Sequence, residues 1–116
     1  MILKVKDLKP RMMGIYKITF PNNKIYIGMS NDIRRRFWEH NNKNNSETPC
    51  DRAINKYGKI ETVEILEFVE DMERLSEREI YWINKFSSNQ RETGYNLTPG
   101  GHECSTKQAF PKEDII

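Results

Sequence analysis

Tyr16, Tyr26, Arg36, His40, Glu79 and Asn96 have types and spacings that suit chemistry as well as packing. Arg36 and His40 stand four residues apart, and with Ile33 and Phe37 they fall on one helical stripe at the i, i+3, i+4, i+7 spacing. A guanidinium on an apolar stripe calls for an anion, and its planar, permanently charged fork matches the non-bridging oxygens of a phosphate in a way lysine cannot. Glu79 follows Leu75 by four residues and precedes Trp82 and Ile83 by three and four, so its carboxylate is also carried on an apolar stripe and calls for a cation. A hard divalent ion held by one carboxylate, waters and a substrate phosphate would answer it. The two tyrosines bring hydroxyl groups and His40 a ring that titrates near neutrality. Such a set suits attack of water on a phosphoryl centre, in which the water must lose a proton and the leaving oxygen must be stabilised.

The elements that must position these groups follow from periodicity and punctuation. Residues 14–20 alternate Ile15, Lys17 and Thr19 against Tyr16, Ile18 and Phe20, and residues 24–29 repeat the pattern after Pro21-Asn22-Asn23, which predicts a hairpin. If Phe20 pairs with Lys24, then Ile18 pairs with Tyr26 and Tyr16 with Gly28, and both tyrosines share a face. If Pro21 pairs with Lys24 instead, the tyrosines fall on opposite faces, because one step of register swaps the sides. A shared site requires the first register. Ser30-Asn31-Asp32 offers capping side chains to a helix from Ile33 to about His40, and a polar loop follows over residues 41–47.

Thr48, Pro49 and Asp51 read as N-cap, proline at the first helical position and an acid in the first turn of a short helix that closes at Tyr57-Gly58, with Ala53, Ile54 and Tyr57 inward. Residues 62–69 form a third strand. Asp71 then caps a longer helix through about Phe86, with Leu75, Ile80, Trp82, Ile83 and Phe86 as its buried stripe. Trp38, Tyr57, Tyr81 and Trp82 are assigned to packing. Residues 1–11 are a basic lead broken at Pro10, either a short strand or an arm; residues 12–101 form the domain and residues 102–116 a tail. The order β-β-α-α-β-α, with a three-stranded antiparallel sheet flanked by helices, is an α+β layout.

With 116 residues, 36% hydrophobic and 31% charged, the chain has room for one modest core and enough apolar periodicity to fold. Its net charge is only +2, but the distribution is uneven. Residues 24–59 carry eight basic and four acidic side chains, whereas residues 61–79 carry eight acidic and two basic. One half therefore suits phosphate and the other repels it. Cys50 and Cys104 form no metal or redox motif, no secretory leader is visible, and no apolar run approaches the roughly 20 residues of a membrane span. These features are those expected of a cytoplasmic protein with no membrane partner.

Gly14-Ile15-Tyr16 and Tyr26-Ile27-Gly28 are followed by Arg36 ten residues after Tyr26, His40 one turn later, Glu79 in Glu77-Arg78-Glu79-Ile80-Tyr81-Trp82-Ile83, and Asn96 in Gly94-Tyr95-Asn96-Leu97. Together they resemble the GIY-YIG endonuclease family over residues 13–101, in particular the small catalytic domains of phage and mobile-element, homing-type members. The resemblance implies an endonuclease dependent on Mg²⁺ or Mn²⁺ that hydrolyses DNA phosphodiester bonds through a single-metal site. It implies Glu79 as metal ligand and Arg36 as phosphate clamp. Tyr16 or Tyr26 would position or deprotonate the water, with Tyr16 the choice for base and His40 the competing base, and Asn96 would tie the last segment to the site or to the backbone of the substrate. Lys24, Arg34 and Arg35 are the expected DNA contacts. The alternative is a non-catalytic nucleic-acid-binding module on the same fold.

Overall fold

A computed structural model of the chain describes residues 1–42 and 48–97. The expected tail over residues 102–116, the Pro99-Gly100-Gly101 stop and most of the polar loop before Thr48 lie outside the described residues. The described residues form four strands and three α-helices: β1 (Ile2–Lys4), β2 (Gly14–Thr19), β3 (Ile25–Ser30), α1 (Ile33–Asn42), α2 (Pro49–Tyr57), β4 (Thr62–Phe68) and α3 (Leu75–Phe86). The sheet is antiparallel with strand order β1-β4-β2-β3. The α+β class and the element order agree with the sequence, but the sheet has four strands rather than three. The extra strand comes from the N-terminal lead, where Ile2, Leu3 and Lys4 pair with Glu64, Val63 and Thr62. A three-residue strand is too short to show a period of its own, so only its long-range partner reveals it.

Local signals set the remaining boundaries. Phe20 N donates to Lys24 O at 2.9 Å, and Asn23 takes φ 71°, a left-handed conformation that asparagine tolerates. That turn fixes the register: Ile18 pairs with Tyr26 and Tyr16 with Gly28. The tyrosines therefore share a face. At α1, Asp32 accepts a hydrogen bond from Arg35 N at 3.1 Å, and Ile33 N donates to Met12 O at 2.9 Å. Thr48 and Asp51 form a capping box at the start of α2, and Gly58 ends that helix at φ 98°. Asp71 caps a 3₁₀ turn, Met72–Arg74, rather than α3 itself, which begins at Leu75.

The sheet separates two cores. Tyr16, Ile18, Phe20, Ile33, Phe37, Ala53, Ile54 and Ile65 pack on the face covered by α1 and α2. Ile15, Ile27, Met29, Val69, Leu75 and Ile83 pack on the face covered by α3. Three packing assignments from the sequence need correction. Ile80 is 37% exposed, Tyr81 45% and Trp38 65%. The stripe that α3 buries is Leu75, Glu79 and Ile83, and at about 100° per residue Ile80 and Tyr81 rotate out of it. Trp38 stands two residues from both Arg36 and His40, about 200° around α1 from each. The inward setting of those two polar residues thus sends the tryptophan to solvent.

Candidate active site

The hairpin register places Tyr16 and Tyr26 side by side, with ring centroids 6.5 Å apart. Tyr16 has no exposed surface, and its ring meets the edge of Phe37 at 4.8 Å. It also lies over the backbone of its cross-strand partner: a Cβ built on Gly28 would stand 2.4 Å from both Cζ and the hydroxyl of Tyr16. Glycine at position 28 is therefore a space requirement set by Tyr16. Gly14 meets a backbone constraint instead. Between Ile15 and Tyr16 the pairing with β4 slips past Leu66 in a bulge, and a Cβ at Gly14 would lie 2.1 Å from the Glu67 carbonyl oxygen.

From α1, His40 reaches the same point. Its Nε2 is 3.0 Å from the Tyr16 hydroxyl, and both groups are buried. Its ring also stands edge-on to Tyr26, with centroids 6.0 Å apart. Arg36, one turn earlier, is only partly exposed and bonds Glu39 Oε1 at 3.2 Å. Glu79 arrives from α3, which packs on the opposite face, and keeps 8% of its surface exposed.

The Tyr26 phenol shows that these groups share one electrostatic environment. Burial pushes its pKa well above the ordinary range of a phenol; the Tyr16, Cys50 and Glu79 groups add to the rise, and only the Arg36 guanidinium opposes it. Tyr26 therefore keeps its proton at neutral pH. Desolvation outweighs the opposing Arg36 charge here.

Asn96 clamps the strand that carries Tyr26. Its Oδ1 accepts from Ile27 N at 2.9 Å and its Nδ2 donates to Ile27 O at 2.8 Å, as a neighbouring strand would. Tyr95 N donates to Ile25 O at 2.8 Å, and Gly94 forms a parallel bridge to Ile25. The segment thereby covers the open edge of β3. Asn41, absent from the sequence reading, makes the same two-point clamp at the end of α1: its Oδ1 accepts from Ile60 N at 2.7 Å and its Nδ2 donates to Ile60 O at 3.0 Å. Nothing local marks it, since Ile60 lies 19 residues further on.

The sequence model of the GIY-YIG catalytic domain matches residues 12–96. The chain belongs to the GIY-YIG family. Among solved structures, this GIY-YIG domain is similar to the catalytic domain of the intron endonuclease I-TevI in a mutant form, with TM-score 0.63, 29% identity, and 77% of this chain and 96% of that one covered. It is likewise similar to the catalytic domain of the homing endonuclease I-TevI, with TM-score 0.58, 32% identity, and 74% and 98% covered. No curated protein sequence matches it.

The expected DNA contacts occupy two separate places. Arg34 and Arg35 lie on the outward side of α1, where Arg35 also bonds Asn31 Oδ1 at 3.2 Å and approaches Glu39 at 3.9 Å. Lys24 immediately precedes β3, with its ammonium 5.6 Å from the centre of the Tyr95 ring. No described helix is long and apolar enough to cross a membrane.

Proposed function

We propose that this GIY-YIG domain is a divalent-metal-dependent DNA endonuclease that hydrolyses one phosphodiester bond per active site. The observation that carries the reading is the convergence on β3 of a buried tyrosine–histidine pair, a second tyrosine that keeps its proton, an arginine on the inner edge of α1 and a nearly buried glutamate. Among the described residues no cluster of three His, Cys, Asp or Glu could hold a metal ion. A single buried carboxylate does not suit zinc, but it fits Mg²⁺ or Mn²⁺, which take oxygen ligands and complete their shell with water and substrate phosphate. Glu79 would hold that ion, which when bound neutralises charge on the phosphate and on the leaving oxygen.

Arg36 supplies positive charge to the non-bridging oxygens of the scissile phosphate, where a guanidinium can donate two parallel hydrogen bonds. Tyr26 donates from its retained hydroxyl and orients the water or a phosphoryl oxygen. Tyr16 and His40 act as one proton acceptor: as water loses its proton to Tyr16 Oη, the Tyr16 proton passes to His40 Nε2 across the 3.0 Å contact. Burial of both shields that transfer from bulk solvent. Asn96 positions the site through the backbone of Ile27.

Plasmid nicking with Mg²⁺ tests the reading. Arg36→Ala and Glu79→Ala should each lower cleavage by on the order of 10²-fold or more while circular dichroism stays unchanged. If both variants cut as the parent does, the assignment of Arg36 and Glu79 fails; a parent that binds DNA but does not nick it with Mg²⁺ is a binding module instead.

A further inference from the structure

A second polar region adjoins the site. A groove of about 490 Å³ runs between α2 and the segment that covers β3, and Lys24, Arg52, Lys56, Arg91, Tyr95 and Asn96 contribute to its walls. The described residues that line it include no carboxylate. Elsewhere several basic side chains are paired: Lys17 with Glu64 at 3.1 Å, Arg78 with Glu67 at 2.8 Å, Arg36 with Glu39 at 3.2 Å and Arg74 with Glu77 at 3.7 Å. Lys24, Lys56 and Arg91 make no ion pair with any described residue. Lys24 and Lys56 instead hold their ammonium groups 5.6 and 5.3 Å from the rings of Tyr95 and Tyr57. Convergent cations without carboxylates cost electrostatic energy in the free protein, and a polyanion repays it.

The groove is continuous with the site. Lys24 immediately precedes β3 and stands two residues before Tyr26, a separation of roughly 7 Å along an extended chain. Asn96 lines the groove and at the same time bonds Ile27. Cys50, in the first turn of α2, lies close enough to Tyr26 to influence its proton. A strand whose scissile phosphate sits at Tyr26 and Arg36 would carry its next phosphates past Lys24 and between α2 and Arg91.

We infer that this groove is the track for the DNA backbone on one flank of the scissile phosphate, with Lys24, Lys56 and Arg91 as its phosphate contacts. The inference rests on the endonuclease reading for its ligand and adds the direction in which the substrate leaves the site. The outward arginines Arg34 and Arg35 then hold a separate, weaker contact.

Fluorescence anisotropy of a labelled DNA duplex, recorded over a KCl series without divalent ion, tests it. The double variant Lys56→Gln/Arg91→Gln should bind on the order of tenfold more weakly, and its slope of log Kd against log salt should fall by about 2, one phosphate contact per side chain. Both positions are exposed, so folding is not at issue. The control pair Arg74→Gln/Lys85→Gln, on the far side of the sheet, should keep the parent's slope. A parent-like affinity and slope in the groove variant overturns the inference. Nicking by the parent in Mg²⁺ is read in parallel. Cleavage together with an unchanged slope rejects the groove alone; binding that weakens as expected without any cleavage supports the groove and rejects the enzyme; a parent that neither binds nor cuts rejects both.

Discussion

The two faces of the sheet treat charge in opposite ways. On the face of α3, Glu67 accepts hydrogen bonds from Arg78 Nε at 2.8 Å and Trp82 Nε1 at 2.9 Å, and Lys17 pairs with Glu64 while its ammonium stands 4.6 Å from the Phe86 ring centre. On the face of α1 and α2, the tyrosines, His40 and Arg36 meet, and the neighbouring groove gathers cations without carboxylates. The α3 face pairs these charges from within, whereas Lys24, Lys56 and Arg91 beside the other face make no ion pair with a described residue. Glu79 is the exception that joins them, a carboxylate on the structural face whose field reaches Tyr26. A net charge of +2 conceals this division because the sum ignores where the side chains go.

If the division is right, removing charge should cost activity on one face and stability on the other. The largest effect is the loss of cleavage in Arg36→Ala and Glu79→Ala described above. Gly28→Ala comes next. The added methyl meets the Tyr16 ring 2.4 Å away and must displace it, so we expect destabilisation of roughly 1–3 kcal/mol in urea melts together with reduced nicking. Normal stability in that variant would mean that Tyr16 has room to move. Asn96→Ala removes both hydrogen bonds to Ile27 and should cost about 1–3 kcal/mol, measured by the same melts.

Glu67→Gln should have the smallest effect, about 1 kcal/mol, with little change in nicking. Partial burial raises the Glu67 carboxyl, but hydrogen bonds from Trp82 and Arg78 outweigh it and bring it below its ordinary value of 4.5. A depressed carboxyl contributes stability above its unfolded pKa and loses it as pH falls through the folded one. The parent should therefore lose stability on acidification below about pH 4.5 more steeply than Glu67→Gln, as thermal melts across that range will show. A large loss of nicking in Glu67→Gln would break the comparison between the faces.

Much of this was legible in the sequence because its signals are local. The hairpin around Pro21-Asn22-Asn23 was legible, with two possible registers; the structure takes the one that puts Tyr16 and Tyr26 on one face. Thr48 and Asp51 cap α2 as their spacing predicts. Arg36 and His40 on one stripe, and Glu79 on another, follow from helical periodicity. What escaped needed distant partners or the rotation of a helix. Strand β1 exists through β4, some sixty residues away, and Asn41 acts through Ile60. Trp38 and Tyr81 are aromatic but exposed, since inward polar residues fix the rotation of their helices. Arg52 and Lys56, four residues apart on α2 with no acid at that spacing, were a signal open to reading; Arg91 joins them only in three dimensions.

The sequence by itself determined the identity of the chemical groups, the presence of the hairpin and the helical stripes that carry them, because each depends on residues within a turn or two of one another, while the structure chose between the two hairpin registers. Only the tertiary structure decided that α1 and α3, packed on opposite faces, bring their polar residues to the same strand. It also decided that the Tyr26 phenol is pushed up rather than down, since desolvation depends on everything packed around a group and not on its neighbours in sequence.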